Sequence, residues 1–441
     1  MSMVVKNNMS AVNTLNILNK NSSALSKSLQ KVSSGMKING AADDASGYAI
    51  SERMRVQIRG LDQANQNTQN GNSMMKVAEG AVSSTVDILK TLKEKVINAA
   101  NDTNTDADRA TIQKELDQSI DQINDNANVT YNGKYLVDGS HNSHVDATTS
   151  SMTNESLAST TKGSSAFSVM QDRNGNSLNI NSLDTVTISF VREGKTYSTS
   201  VKATKSLDDL LKAANKVKDD KGNEVKAFKE EIRTGSYIGK DIAGDTVATA
   251  DEKNALTIRA AGSGVTSQIS GVTISVTNTK GQVQKSANAV LDNFSESIRA
   301  QNKSDDNAIS LQVGTKANQS IRVGLTDMRA EALGLQASTG QTIQIGTQAQ
   351  ANAAINVLDN AVQKALDQQT TIGSVQSRLS YTSTNLTTAS ENVQASESTI
   401  PDADMAKEMT EYTKNNVLLQ AAQSMLAQAN QSSSSVLSLL Q

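Results

Sequence analysis

The chain has two histidines, three residues apart in His141-Asn-Ser-His144. Histidines at i and i+3 on a helix can clasp a metal ion. The residues around this pair are Ser, Asn, Asp and Thr, which read as a loop, and no Glu stands between the rings. A solvated loop is therefore the reading this segment carries. Asp43 and Asp44 are adjacent carboxylates, a pair that can serve general acid–base chemistry. They sit where a new helix would begin, and acidic side chains there match the positive end of its dipole. There is no Cys, hence no disulfide framework and no thiolate metal site. No GxxxxGK[ST] loop is present to cradle a phosphate, and nothing resembles a nucleophile elbow. The expectation is a protein that is not an enzyme, with no cofactor and no metal.

The composition excludes further classes. The chain has 441 residues, with 42 Lys+Arg against 45 Asp+Glu and a net charge of -3. Without a basic excess it is no dedicated nucleic-acid binder. No run of about 18 apolar residues exists, so no membrane insertion is expected. The length suits two to four domains at roughly 100–200 residues each. Yet the chain is only 37% hydrophobic and 2% aromatic, which is thin material for several thick cores. A single Pro argues against disorder and for long helices that bury a narrow stripe. The opening Met1-Ser-Met-Val-Val-Lys-Asn-Asn has no basic region followed by an apolar one, so it carries no secretory signal. Export by a route that reads no cleavable signal stays open.

The elements that must do the positioning fall into three zones. In residues 1–140, Leu15, Ser22, Leu29 and Met36 recur every seventh position, with Leu18, Leu25 and Val32 as the complementary series. That is a coiled-coil seam with a polar gap at Ser22. It ends at Ser33-Ser34-Gly35, and Asn39-Gly40 marks a turn. A helix of about 55 residues, roughly 80 Å, is expected from Asp43 and Asp44 to near Asn101. Another follows from Asp106 to about Ala127, with Ile112, Leu116, Ile120 and Ile123 on one face.

The zone from about 136 to 305 shifts to Gly, Thr, Ser and Val. Val186, Ile188 and Phe190 alternate with polar neighbours, as do Val272, Ile274 and Val276, which predicts strands. Glu193-Gly194-Lys195 predicts a hairpin turn, and a short helix is expected over Leu207 to Val217. Residues 141–165 are rich in Ser, Thr and Asn and read as a loop or weakly ordered linker.

The last zone predicts a hairpin around Ile309, Leu311, Val313 and Ile321, Val323, then helix from Asn352 to about Glu397. Pro401, followed by Asp402 and Asp404, is read as the first turn of the final helix. That helix carries Met405, Tyr412, Leu419, Leu426 and Leu440 in sevens, interrupted at Ser433, with Ala422, Ala429 and Val436 alongside. The fold class expected is mainly α with a β-rich insert, a long antiparallel helical bundle or coiled coil from both termini. A stripe-bearing helix without a partner is marginal in water, so the two seams must meet each other or other molecules.

The run Leu29-Gln-Lys-Val-Ser-Ser-Gly-Met-Lys-Ile-Asn-Gly-Ala-Ala-Asp-Asp-Ala-Ser-Gly-Tyr-Ala-Ile-Ser, continuing through Ile58-Arg-Gly-Leu-Asp-Gln-Ala-Asn-Gln-Asn to Glu79-Gly80, resembles the amino-terminal signature of bacterial flagellin. Ser424-Met-Leu-Ala-Gln-Ala-Asn-Gln and Val436-Leu-Ser-Leu-Leu-Gln are similar to its carboxyl terminus. The likeness covers about residues 1–140 and 306–441; the middle matches nothing nameable. It implies a structural subunit that self-assembles into the hollow helical filament of the bacterial flagellum for motility. It further implies terminal helices disordered in the monomer that order on assembly. The implied domains are 1–42 and 401–441 as filament-core coiled-coil segments, 43–140 and 306–400 as halves of a helical shell, and 141–305 as a variable surface domain. Leu15, Leu18, Leu25, Leu29, Val32, Leu419, Leu426, Val436 and Leu440 would then make the subunit contacts. The implied partners are further copies of the chain, the flagellar export apparatus with an export chaperone, and hook-associated and cap proteins, and the location is the secreted extracellular filament. A hook–filament junction protein, which shares the terminal signatures, is the alternative; an adhesin stalk would need a surface anchor.

The resemblance also places Leu89-Lys-Thr-Leu-Lys-Glu-Lys-Val-Ile on the patch that animal Toll-like receptors read, where stimulatory members show Leu-Gln-Arg-Val-Arg-Glu-Leu. Leu89, Lys90, Thr91, Lys93, Glu94 and Glu115 are the matching positions. Thr91 stands where the family has Arg, and a hydroxyl cannot reproduce a guanidinium's fork, so a weak ligand is expected.

Overall fold

The computed structural model describes residues 8–219, 222–242 and 244–439. Helices α1 (Met9–Ser34), α2 (Ala45–Ala99) and α3 (Asp106–Ala127) come first. Strands β1 (Thr130–Tyr131), β2 (Lys134–Tyr135), β3 (Ser151–Asn154), β4 (Thr185–Arg192) and β5 (Lys195–Lys202) lead to helix α4 (Leu207–Asn215). Strands β6 (Arg233–Gly235), β7 (Tyr237–Lys240), β8 (Thr246–Ala248), β9 (Ala255–Arg259) and β10 (Ile269–Thr277) precede helix α5 (Lys285–Leu291). Strands β11 (Ser295–Ile298), β12 (Ile309–Gln312) and β13 (Ser320–Val323) are followed by α6 (Gln348–Ser398) and α7 (Met405–Leu439). The chain is thus helical at both ends with a β-rich middle. Among the described residues no helix is long and apolar enough to cross a membrane.

The chain divides into two compact units. One comprises residues up to Thr68, Gln312–Gln319 and Tyr381 onward. Here α1 ends as its sequence dictates, at Gly35 with φ 72°, whose N–H donates to Lys31 O at 2.9 Å. Asp44 caps α2: its Oδ1 accepts from the N–H groups of Ser46 and Gly47, both at 3.0 Å. These bonds, the one from Gly47 foremost, hold its carboxyl below the ordinary carboxylate value. Pro401 does not open the last helix. Asp404 caps it instead, accepting from Ala406 N and Lys407 N, while Pro401 O accepts from Lys37 N and Gly35 O accepts from Ala403 N. Pro401 lies instead in the turn that closes α6, across which Asp402 N donates to Ser398 O at 3.1 Å. Leu61, Ala64 and Leu386 form a small core in this unit, and Arg55 Nε pairs with Glu397 Oε1 at 2.8 Å.

The other unit, Gln69–Leu311 with Ser320–Ser380, holds the rest. The buried face of α2 here includes Met75, Ala78, Val82, Val86, Leu89, Leu92 and Val96; α3 adds Leu116, Ile120 and Ile123. Arg109 of α3 is buried and caps the end of α2, donating from Nε to Ala99 O at 2.9 Å and from Nη2 to Asn101 O at 3.1 Å.

The β-rich part consists mainly of two antiparallel sheets, ordered β10-β4-β5 and β11-β3-β9-β6. They share one core, which contains Phe167, Phe190, Phe228 and Phe294 — all four phenylalanines of the chain. Phe190 packs edge-on against Phe228 with ring centroids 4.9 Å apart. Concentrating the phenylalanines in one place gives the insert its core, while the helices bury aliphatic residues and Met. The reading of 141–165 as a loop or weakly ordered linker is corrected at 151–154. β3 lies inside the four-stranded sheet and all four of its residues are buried. Its polar side chains are satisfied internally: Thr153 Oγ1 and Thr257 Oγ1 lie 3.0 Å apart, and Asn154 Nδ2 donates to Val290 O at 2.8 Å. Composition alone mistook a hydrogen-bonded strand for a loop.

Candidate functional site

The terminal helices α1 and α7 run antiparallel. Asn8 Nδ2 donates to Ala429 O at 3.1 Å, Asn21 Nδ2 to Leu418 O at 3.2 Å, and Lys31 pairs with Glu408 at 3.6 Å. Fully or partly buried residues recur at spacings of three and four along α1: Ala11, Thr14, Leu18, Asn21, Leu25, Ser28 and Val32. On α7 the matching set is Glu408, Tyr412, Asn415, Leu419, Ala422, Leu426 and Ala429. The seam therefore keeps Leu18, Leu25 and Val32 but swaps their companion series. Thr14, Asn21 and Ser28 replace the expected Leu15, Ser22 and Leu29. Both series flank the same three apolar positions at heptad spacing, and the position of the facing helix selects one. The signal that was missed is polar: Asn415 Nδ2 donates to Ser28 Oγ at 3.0 Å.

The displaced residues stay open. Leu15 is 45% exposed and Leu29 51%, joined on α1 by Met9, Val12 and Ile17. On α7, Val417 is 59% exposed and Met425 62%, with Met405, Met409 and Leu418 also open. Tyr412, Leu419 and Leu426 are half-buried in the seam. Val436 lies within α7, and Leu440 lies outside the described residues.

The second set of site residues lies on the α2–α3–α6 helices of the other unit. Leu89 is fully buried, which makes it a packing residue with no surface to offer a receptor. Thr91 Oγ1 donates back to Asp87 O of its own helix at 3.0 Å, and Lys90 pairs with Asp87 at 3.3 Å. Lys93 pairs with Asp359 of α6, and Glu115 with Lys95 at 2.9 Å. Glu94 is exposed. His141 Nδ1 sits 3.3 Å from Asn307 O, and among the described residues no cluster of three His or carboxylate side chains has metal-binding geometry.

Comparison with known proteins agrees with both ends of the chain. Residues 5–142 match the bacterial flagellin N-terminal helical region, and residues 355–440 match the bacterial flagellin C-terminal helical region. A flagellin of Clostridium tyrobutyricum is 33% identical over 97% of this chain and 99% of its own. A flagellin of Bacillus subtilis is 29% identical over 99% of this chain and 100% of its own. Among solved structures, flagellar hook associated protein-3 of Legionella pneumophila is 14% identical, covering 78% of this chain and 97% of that one, with a TM-score of 0.34. Paired terminal helices carrying apolar side chains on their open faces coincide with these two terminal matches: the chain belongs to the bacterial flagellin family.

Proposed function

We propose that the open faces of α1 and α7 are the surfaces on which further copies of this chain pack in the flagellar filament. Flagellin is a structural protein family, not a class of enzyme, and membership makes the chain an exported filament component that serves motility. The observation that carries the assembly reading is how little the pair buries alone. Among the described residues, Ser28 is the one fully buried residue of α1, and Ala422 that of α7. Two helices of 26 and 35 residues with so thin a seam gain little from each other. In the free subunit they fray or unfold, and they order when neighbouring copies cover Leu15, Leu29, Val417 and Met425.

Of the residues expected to carry assembly, Leu15 and Leu29 would meet neighbouring copies directly, Leu18, Leu25, Val32, Leu419 and Leu426 would act through the α1–α7 seam that assembly orders, and Val436 and Leu440 belong to the same proposal. The division into core segments 1–42 and 401–441, shell halves 43–140 and 306–400, and surface domain 141–305 belongs to the same proposal. So do contacts with the export apparatus, its chaperone, and hook-associated and cap proteins. Toll-like receptor recognition through Lys90, Thr91, Lys93, Glu94 and Glu115 would be weak. Thr91 brings no charge, while Lys93 and Glu115 already hold intramolecular ion pairs.

The test is seeded growth of purified subunit, followed by light scattering and electron microscopy, beside a variant truncated before Leu25 and after Leu418. Growth of the full chain alone supports the reading. A full chain that stays monomeric with seeds overturns it in favour of a hook–filament junction protein.

A further inference from the structure

A carboxylate on β11 of the insert and an ammonium on helix α6 are each buried and act on one another electrostatically. The Glu296 side chain is 5% exposed, and Lys364 is buried as fully. Neither is well satisfied. Glu296 has the Ser150 hydroxyl at 3.4 Å and Arg299 Nε at 3.8 Å, the second too long for a hydrogen bond. Lys364 Nζ donates to Ala332 O at 2.7 Å, and among the described residues no other hydrogen bond from its three N–H groups is seen. Nearby, Gln268 Oε1 on the approach to β10 and Gln368 Nε2 on α6 are buried without partners.

The surrounding charges are few. From α6, Asp367 engages Arg299 Nη1 at 2.7 Å. From the segment before α6, Asp327 faces Lys364 and is held by Arg329, which also feels Glu331 and Asp138. β10 contributes no charge here, only backbone carbonyls: Ser270 O and Val272 O accept from Asn360 Nδ2 and Asn356 Nδ2 of α6.

We propose that Glu296 and Lys364 form a proton-operated clasp that loosens the insert's hold on α6 when Glu296 ionises. Burial, only partly offset by Arg299 and Lys364, pushes the Glu296 carboxyl up to about 7. Burial likewise lowers the Lys364 ammonium to about 8, against the pull of Glu296 and Asp327. When the clasp opens, water restores ordinary values. The closed form therefore binds the extra proton on Glu296 between about pH 4.5 and 7, and its hold weakens as pH rises through that window. Above about pH 8 the closed form sheds the Lys364 proton first, so the hold strengthens again. The clasp is loosest near pH 7 to 8.

Hydrogen exchange of the full-length subunit, corrected for intrinsic rates, reads this directly in peptides covering 295–299 and 353–368. Wild type should open on the order of tenfold less at pH 5.5 than at pH 7.5. Glu296→Gln, which mimics the protonated acid, should show the pH 5.5 protection at both values. Lys364→Met should move the wild-type transition to higher pH, because Glu296 loses a cation. Flat protection in wild type, a pH response retained by E296Q, or an unmoved transition in K364M would each overturn the clasp.

Discussion

Asn415 Nδ2 donates to Ser28 Oγ at 3.0 Å, a polar pair set inside the seam between α1 and α7. Polar residues at such positions weaken a coiled coil but fix its register, since a slip leaves them unpaired. Ser28→Ala alone strands the amide and should lower stability by about 0.5–1 kcal/mol. Adding Asn415→Leu should restore or exceed the wild-type melting temperature, because removing both partners is close to neutral. Circular-dichroism melts of filaments assembled from the two variants, in which α1 and α7 are ordered, decide it. A double variant less stable than the single one would contradict this account.

The exposed Thr91 hydroxyl is turned back on Asp87 O and offers no charge. Thr91→Arg should raise potency in Toll-like-receptor reporter cells, since a guanidinium supplies several directed donors where the hydroxyl supplies one. Identical titration curves for the two proteins would refute the idea that this position limits recognition.

Gly271 of β10 lies against α6. A Cβ there would sit 2.9 Å from Val357 Cγ2 and 3.1 Å from Val357 N. Backbone cannot yield as a side-chain tip can, so Gly271→Ala should push strand from helix and cost about 1–3 kcal/mol. Calorimetry of the variant should show the loss; an unchanged melting temperature would mean that the approach relaxes freely.

Asp292 follows α5 and accepts from Ile274 N at 3.0 Å through Oδ1. Burial raises its carboxyl to about 6, with the Ile274 bond opposing. A carboxyl raised in the folded state contributes most when protonated, so its contribution is complete below about pH 4 and fades as pH rises through 6. Asp292→Asn keeps the acceptor and removes the charge. The variant should gain about 2 kcal/mol over wild type at pH 7.5 and nothing near pH 4. Denaturant melts at the two pH values measure the difference, and an equal gain at both would show that ionisation is not the cause.

Much of this protein was legible in its residues, because helices and strands announce themselves through local periodicity. The break at Gly35, the capping Asp44, the long uninterrupted α2 and the alternation of β4 and β10 each depend on neighbours within a few positions. The terminal signatures likewise identified the family without any coordinates. Tertiary structure decided what periodicity leaves open. Leu18, Leu25 and Val32 have a companion series on either side, and only the placement of α7 chose Thr14, Asn21 and Ser28 over Leu15 and Leu29. The polar segment 151–154 became an inner strand because Thr257 and the carbonyl of Val290, about a hundred or more positions away, supply its hydrogen bonds. Glu296 and Lys364 look like ordinary surface charges in the sequence. Each became buried through the packing of β11 and α6 into the fold, and burial is a property of the fold, not of the residues.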